Sequence, residues 1–211
     1  DVSGIWDGFH QYVLTNPNVD MRIGTTELPG TNGELVYMDL SAEDLGYPDS
    51  VRKYAAVDFT FQRAWDGVWM FNAAYTWSHN WGNNEGFVRS DNGQDDAGLT
   101  TLFDQPGLLD GAYGDLPNDR RHQVKMYGAY AVTEDLTLGA NLQFWTGKPV
   151  NAFGYHPTDK FAQAYDSESF YAGGELAPRG SRGRTSSYYS IDVSASYNID
   201  IGEDQTLVVR A

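Results

Sequence analysis

From Tyr189 to Ile201 the chain alternates without interruption. Tyr189, Ile191, Val193, Ala195, Tyr197, Ile199 and Ile201 fall on one side, and Ser190, Asp192, Ser194, Ser196, Asn198 and Asp200 on the other. A period of two defines a β-strand with one apolar and one polar face. Its length narrows the choice further. Strands in soluble proteins usually run about 5 or 6 residues, whereas a tilted strand crossing a bilayer needs about 9 to 11.

The same pattern recurs along the chain. In Trp69 to Ser78 the residues Trp69, Phe71, Ala73, Tyr75 and Trp77 alternate with Asn72, Ala74, Thr76 and Ser78. Leu136, Leu138, Ala140, Leu142 and Phe144 alternate with Thr137, Gly139, Asn141 and Gln143, and Ala55, Val57, Phe59 and Phe61 with Ala56, Asp58, Thr60 and Gln62. Val124, Met126, Tyr130 and Val132 oppose Gln123, Lys125 and Tyr127, and Leu207 to Ala211 begins one more strand. Short polar links (64–67, 133–135 and about 202–205) alternate with two long segments rich in Gly, Asp, Asn and Pro (79–121 and 147–187). Because each hairpin reverses direction, all short turns fall at one end of the sheet and all long loops at the other. The fold class expected is all-β, a partial antiparallel transmembrane β-barrel with short periplasmic turns and long extracellular loops.

Composition agrees with this expectation. There is no run of about 18 apolar residues, so no transmembrane helix is expected. A mean hydropathy of -0.49 suits a barrel whose alternate residues alone meet lipid. The sequence has no cysteine, which removes disulfides and thiolate metal sites. It begins at Asp1 without Met and reads as an internal fragment, residues 1–211 forming part of a single barrel domain. Five full strands and a stub cannot close a barrel, and an open edge in hydrocarbon would leave backbone groups unpaired at several kcal/mol each. The missing strands are therefore expected elsewhere in the parent chain or in a partner.

Asp and Glu outnumber Lys and Arg by 29 to 14, a formal charge of -15, which argues against nucleic acid as a partner. Much of the acid lies in the long loops, notably at Asp91, Asp95, Asp96, Asp104, Asp110, Asp115 and Asp119. A solvated, self-repelling surface is one reading and a site for a cation or cationic ligand the other. The run from Asp91 to Asp96 does not fit an EF-hand, because its Gly is misplaced and Leu102 stands where the bidentate Glu belongs. His10, His79, His122 and His156 form no HxxxH or HxH pair, and no GxSxG, P-loop or dinucleotide fingerprint occurs. Asp58 and Asp192 sit on polar strand faces, where hydrated or Arg-paired interior residues are expected rather than catalytic ones. The chain is expected not to be an enzyme, with no catalytic residue, metal or cofactor.

Trp69 and Trp77 share a face and are expected near the two ends of one strand, roughly 19 Å apart along the membrane normal and suited to aromatic girdles. The loop aromatics Trp81, Phe87, Phe103, Tyr113, Phe153, Tyr155 and Phe170 are either anchors that fold the loops onto each other or ligand contacts at the mouth. Candidate ligand-binding residues are Trp81, Arg89, Asp95, Asp96, Phe103, Tyr113 and Tyr155. In Leu116 to His122, Pro117 fixes φ and Asp119 is placed to accept bonds from backbone N–H groups, Arg120 or Arg121. Gly180 and Gly183 permit sharp turns, and Arg184 is expected to pair with loop carboxylates or with lipopolysaccharide phosphates.

Five stretches carry a family resemblance: Tyr12-Val13-Leu14-Thr15-Asn16-Pro17, Ala74-Tyr75-Thr76-Trp77-Ser78, Leu116-Pro117-Asn118-Asp119-Arg120-Arg121-His122, Gly147-Lys148-Pro149-Val150-Asn151 and Arg179-Gly180-Ser181-Arg182-Gly183-Arg184-Thr185. In this order they resemble the C-terminal barrel region of TonB-dependent outer-membrane receptors, in particular the group with an N-terminal carboxypeptidase-regulatory-like domain. The resemblance implies a barrel of about 22 strands, a plug and TonB box outside this sequence, and uptake of a scarce ligand such as a siderophore, oligosaccharide or peptide. It also implies the Gram-negative outer membrane as location, with lipid, lipopolysaccharide and the TonB complex as partners. A passive porin and a soluble secreted β-sandwich are the alternatives.

Overall fold

The computed structural model describes residues 19–26, 32–93, 100–202 and 205–211. Its elements are β1 (Met21–Thr25), β2 (Val36–Leu40), α1 (Ala42–Leu45), β3 (Arg52–Arg63), β4 (Trp69–Gly82), β5 (Gly114–Asp115), β6 (His122–Ala131), β7 (Leu136–Trp145), α2 (Lys160–Gln163), β8 (Tyr171–Ala172), β9 (Glu175–Leu176), β10 (Tyr188–Gly202) and β11 (Gln205–Arg210). The main sheet is antiparallel in the order β11-β10-β7-β6-β4-β3, with the short β5 added beside the end of β4. It does not close on itself. Every strand expected from the period-two pattern is present, and β3, β4 and β10 reach 12, 14 and 15 residues.

Register carries the alternation across the whole sheet. One transverse row runs Phe59, Tyr75, Val124, Phe144, Tyr189, and the next Phe61, Ala73, Met126, Leu142, Ile191. On the opposite face the rows read Asp58, Thr76, Gln123, Trp145, Tyr188 and then Gln62, Asn72, Tyr127, Asn141, Asp192. All the expected apolar residues therefore share one face, and all the expected polar residues the other. The apolar face is uncovered by any second sheet among the described residues. Val193 is 79% exposed and Phe59 64%, the reverse of a soluble sandwich, whose inner faces bury such side chains.

Two of the short turns are held by side-chain oxygens. Asp66 Oδ1 accepts from the backbone N–H of both Val68 and Trp69 at 2.9 Å, while Gly67 takes φ 99°. Thr133 Oγ1 accepts from Leu136 N–H at 3.0 Å. Each oxygen satisfies a donor that the hairpin would otherwise leave free.

One expectation about β4 is corrected. The strand does not stop at Ser78 but continues through His79, Asn80 and Trp81 to Gly82, because these residues pair with Ala55 to Arg52 of β3 on one side and Trp81 and Gly82 with Asp115 and Gly114 on the other. Trp77 accordingly lies five positions inside the end of β4, and Trp81 extends the aromatic face beyond it. Asp58 and Asp192 behave as interior polar residues: Thr76 Oγ1 donates to Asp58 at 2.5 Å and Asn141 Nδ2 to Asp192 at 3.2 Å.

Residues 19–26 and 32–51 lie ahead of β3 and hence at the long-loop end. Here β1 and β2 form a separate antiparallel hairpin. α1 follows it behind a capping box in which Ser41 Oγ accepts from Asp44 N–H at 3.0 Å and Ser41 N–H donates to Asp44 Oδ2 at 3.2 Å. Gly46, at φ 68°, ends the turn and fixes the direction of Tyr47 and Pro48.

A candidate ligand site at the long-loop end

Segments 83–121 and 147–187 leave the same end of the sheet, and their side chains interlock. A small apolar cluster of Leu102, Leu109, Ala112 and Phe170 lies between them, with Tyr47, Phe103 and Phe153 packed against it. Arg89 is fully buried beside this cluster. Its Nη1 donates to Glu168 Oε2 at 2.7 Å and Thr101 Oγ1 at 3.0 Å, its Nη2 to the Glu168 carbonyl at 2.9 Å, and its Nε to Asp91 at 3.1 Å. Its guanidinium also lies 4.7 Å from the Phe153 ring centroid. These partners offset the cost of burying its charge.

Arg179 crosses from the second loop to the first. Its Nη1 reaches Glu85 at 3.3 Å and Asp91 at 3.2 Å, and its guanidinium stacks 4.8 Å from Phe170. Asn151 ties the same groups together, donating to Asp91 at 2.8 Å and accepting from Gly180 N–H at 2.6 Å. Burial and the neighbouring Asp91 charge push the Glu85 carboxyl above its ordinary range, and Arg179 offsets only part of that. Burial likewise holds Arg179 below the usual arginine value in spite of Asp91 and Glu85.

Where the loops meet the strands a second ion-pair group forms. Asp119 is fully buried. It accepts from the Asn80 backbone N–H at 2.7 Å, from Arg121 Nε at 2.8 Å and from Arg184. Asp115 receives Arg121 Nη2 at 2.8 and 2.9 Å, Arg184 Nη2 at 2.8 Å and His79 Nε2 at 2.9 Å. Burial would raise the Asp115 carboxyl, but these partners outweigh it and hold it below the ordinary range. Arg184 Nη1 is also bound by the carbonyls of Asp119 at 3.1 Å and Gly147 at 3.0 Å. Of its two expected partners Arg184 thus takes the loop carboxylates, and Gly180 and Gly183 supply positive φ of 74° and 87° before it. Arg120 goes elsewhere: its Nη1 binds the Thr146 carbonyl at 2.7 Å, and its guanidinium lies 5.6 Å from the Trp145 ring, which stacks on Tyr188.

The candidate ligand residues divide accordingly. Arg89 is locked inside, so it holds the loops and presents no surface to a ligand. Trp81 belongs to β4, on the apolar side of the sheet, stacked 4.3 Å from His79. Phe103 is an anchor of the loop cluster, as are Phe153 and Phe170. Tyr113 and Tyr155 are exposed, as is Phe87 at 80%. Asp95 and Asp96 lie outside the described residues. The sequence reading did not single out Glu85 or Glu168, although every buried loop arginine requires such a carboxylate partner.

A cleft of about 650 Å³ opens at this end between segments 42–48 and 106–111. Asp110 on its wall is fixed from behind. His156 Nδ1 accepts from Asp159 N–H at 2.8 Å, which leaves the ring proton on Nε2, and Nε2 contacts Asp110 at 3.0 Å.

An open sheet of membrane-spanning length, apolar on one exposed face and polar on the other, with all elaborate loops at one end, calls for comparison with known barrels. Residues 7–154 match the family described as "Outer membrane beta barrel domain". The chain belongs to this family. Its place is the bacterial outer membrane, and the exposed apolar face is the one that meets lipid. The chain is also similar to the "TonB-dependent transporter Oar" of Myxococcus xanthus, 33% identical over 165 residues that cover 76% of this chain and 15% of that protein. It thus spans about 15% of the relative's length. No solved structure matches it.

Proposed function

We propose that the chain is part of the barrel of a TonB-dependent outer-membrane transporter, non-enzymatic, whose long loops face the cell exterior and whose remaining strands, plug and TonB box belong to the parent protein. The observation that carries this reading is the 33% identity to a TonB-dependent transporter, joined to loops that are folded and interlocked. A structured external surface suits selective capture of a scarce ligand, whereas diffusion through an open pore makes no such demand. The finer assignment, to receptors with a carboxypeptidase-regulatory-like N-terminal domain, rests on the five sequence stretches alone. Outer-membrane lipid and lipopolysaccharide surround the apolar face, and the TonB complex drives transport through the parent's N-terminal region. Exposed Tyr113 and Tyr155 remain ligand candidates.

The full-length parent, reconstituted in a planar bilayer, tests this reading against a passive porin. A plugged transporter stays closed and conducts only after its plug is unfolded by denaturant. Steady conductance without denaturant would favour the porin and defeat the transporter reading.

A further inference from the structure

The cleft between 42–48 and 106–111 is lined by Glu43, Tyr47, Pro48, Pro106, Leu109 and Asp110 together with glycine backbone. Each wall contributes one carboxylate, and among the described residues no lysine or arginine lines it. Lys160 of α2, which packs against the Pro106–Leu109 turn, is not among the lining residues.

The surrounding charge distribution bears on what such a cleft attracts. The arginines of the long loops are largely turned inward: Arg89 and Arg179 are buried and paired, and Arg121 and Arg184 are bonded to Asp115 and Asp119. Glu43 and Asp110 lie outside those arginine groups, Asp110 being held by His156 and Tyr171. Glu43 is exposed, and Asp110 retains 53% of its side-chain surface while held by His156. Sequestering cations inside an acidic protein leaves a negative exterior that draws in positive ligands and repels anions.

Geometry separates a peptide from a simple metal ion. Glu43 and Asp110 come from different walls, and among the described residues no group of three or more His, Asp or Glu could hold a metal. The volume lies within the range of about 300–1,000 Å³ typical of organic ligands. Tyr47 and the two prolines offer flat apolar surface between the acids. Tyr47 is itself pinned, its hydroxyl donating to the Asp104 carbonyl at 3.0 Å and its ring lying 6.5 Å from Phe103. Such a preformed surface avoids the ordering cost that flexible loops would add to binding.

We propose that this cleft is a docking site for a cationic peptide segment, its lysine or arginine side chains meeting Glu43 and Asp110 while its apolar residues lie on Tyr47, Pro48 and Pro106. The proposal rests on the reading of this end as the external, ligand-facing end of a transporter. The test uses the full-length parent in detergent and a short fluorescein-labelled peptide of repeating lysine, proline and tyrosine, beside its twin with every lysine acetylated. Fluorescence anisotropy should show the lysine peptide binding at least about tenfold more tightly than the twin, and the advantage should shrink as salt rises. The double variant Glu43→Gln, Asp110→Asn, isosteric and on exposed side chains, should weaken the lysine peptide by a similar factor and leave the acetylated twin unchanged. Equal binding of the two peptides, no binding of either, or a double variant that binds like the parent overturns the proposal. Bilayer conductance measured on the same preparation keeps the two ideas apart. A receptor that stays closed yet ignores peptide charge defeats the cleft alone, whereas an open pore defeats the transporter reading.

Discussion

The sheet and the loop assembly solve opposite problems with the same twenty side chains. In the sheet, Phe59, Val193 and Ile191 are largely exposed and nothing among the described residues covers them, which is stable only if the surrounding solvent is hydrocarbon. In the loops, Arg89 and Arg179 are buried against a small apolar cluster and Asp119 in a separate ion-pair group, which makes sense only if water lies outside. Sheet stability therefore depends on where apolar groups point, and loop stability on whether buried charges find partners. A substitution that is harmless in one region should be severe in the other.

The largest effect is expected from Arg89→Ala. It leaves Glu168 without its cation and Asp91 with Arg179 and Asn151 alone, and should cost on the order of 3–5 kcal/mol, read as loss of protease resistance of segments 83–121 and 147–187 in the full-length parent. Next comes Val193→Arg, expected to cost about 2–4 kcal/mol if the residue lies near the bilayer midplane. Ser194→Arg, on the polar face one residue away, should cost far less. A refolding titration into lipid vesicles that finds the two alike would break the distinction between the faces.

Smaller, but more specific, is the effect of pH on the two ion-pair groups. Glu85 is held above the ordinary glutamate range by burial and Asp91, so it binds a proton more readily folded than unfolded. Its contribution is present at low pH and is lost as pH rises from that range through the raised value. Asp115 is held below the ordinary aspartate range because Arg121, His79 and Arg184 outweigh burial. Its contribution is present above that range and is lost as pH falls through the lowered value. Protease resistance of the loops measured against pH should lose the first slope in Glu85→Gln and the second in Asp115→Asn.

The strands were legible because period-two alternation is local: each residue of the segment from Tyr189 to Ile201 states its own face. The interior roles of Asp58 and Asp192 followed from the same parity. The extension of β4 to Gly82 was not legible, since His79 to Gly82 carry no apolar alternation and are held by pairing with Arg52 to Ala55 of β3 and, across a long loop, with Gly114 and Asp115. Nor could adjacent residues reveal that Arg89 would meet Glu168, or Arg179 Glu85, at sequence separations of 79 and 94. Arg89, a candidate ligand residue in the sequence, is used by the fold as a clamp. The hairpin β1–β2 and the cleft beside α1 fell in a stretch whose short strands lack the length of the spanning ones.

The most direct test of the account places single cysteines at Val193 and Ser194 of the full-length parent, labels each with bimane and reconstitutes the protein in vesicles whose acyl chains carry bromine. Contact quenching reports which side chain meets hydrocarbon. Strong quenching at position 193 and little at 194 is the predicted result. Strong quenching at 194 with little at 193, or none at either position, would contradict the assignment of the apolar face to lipid.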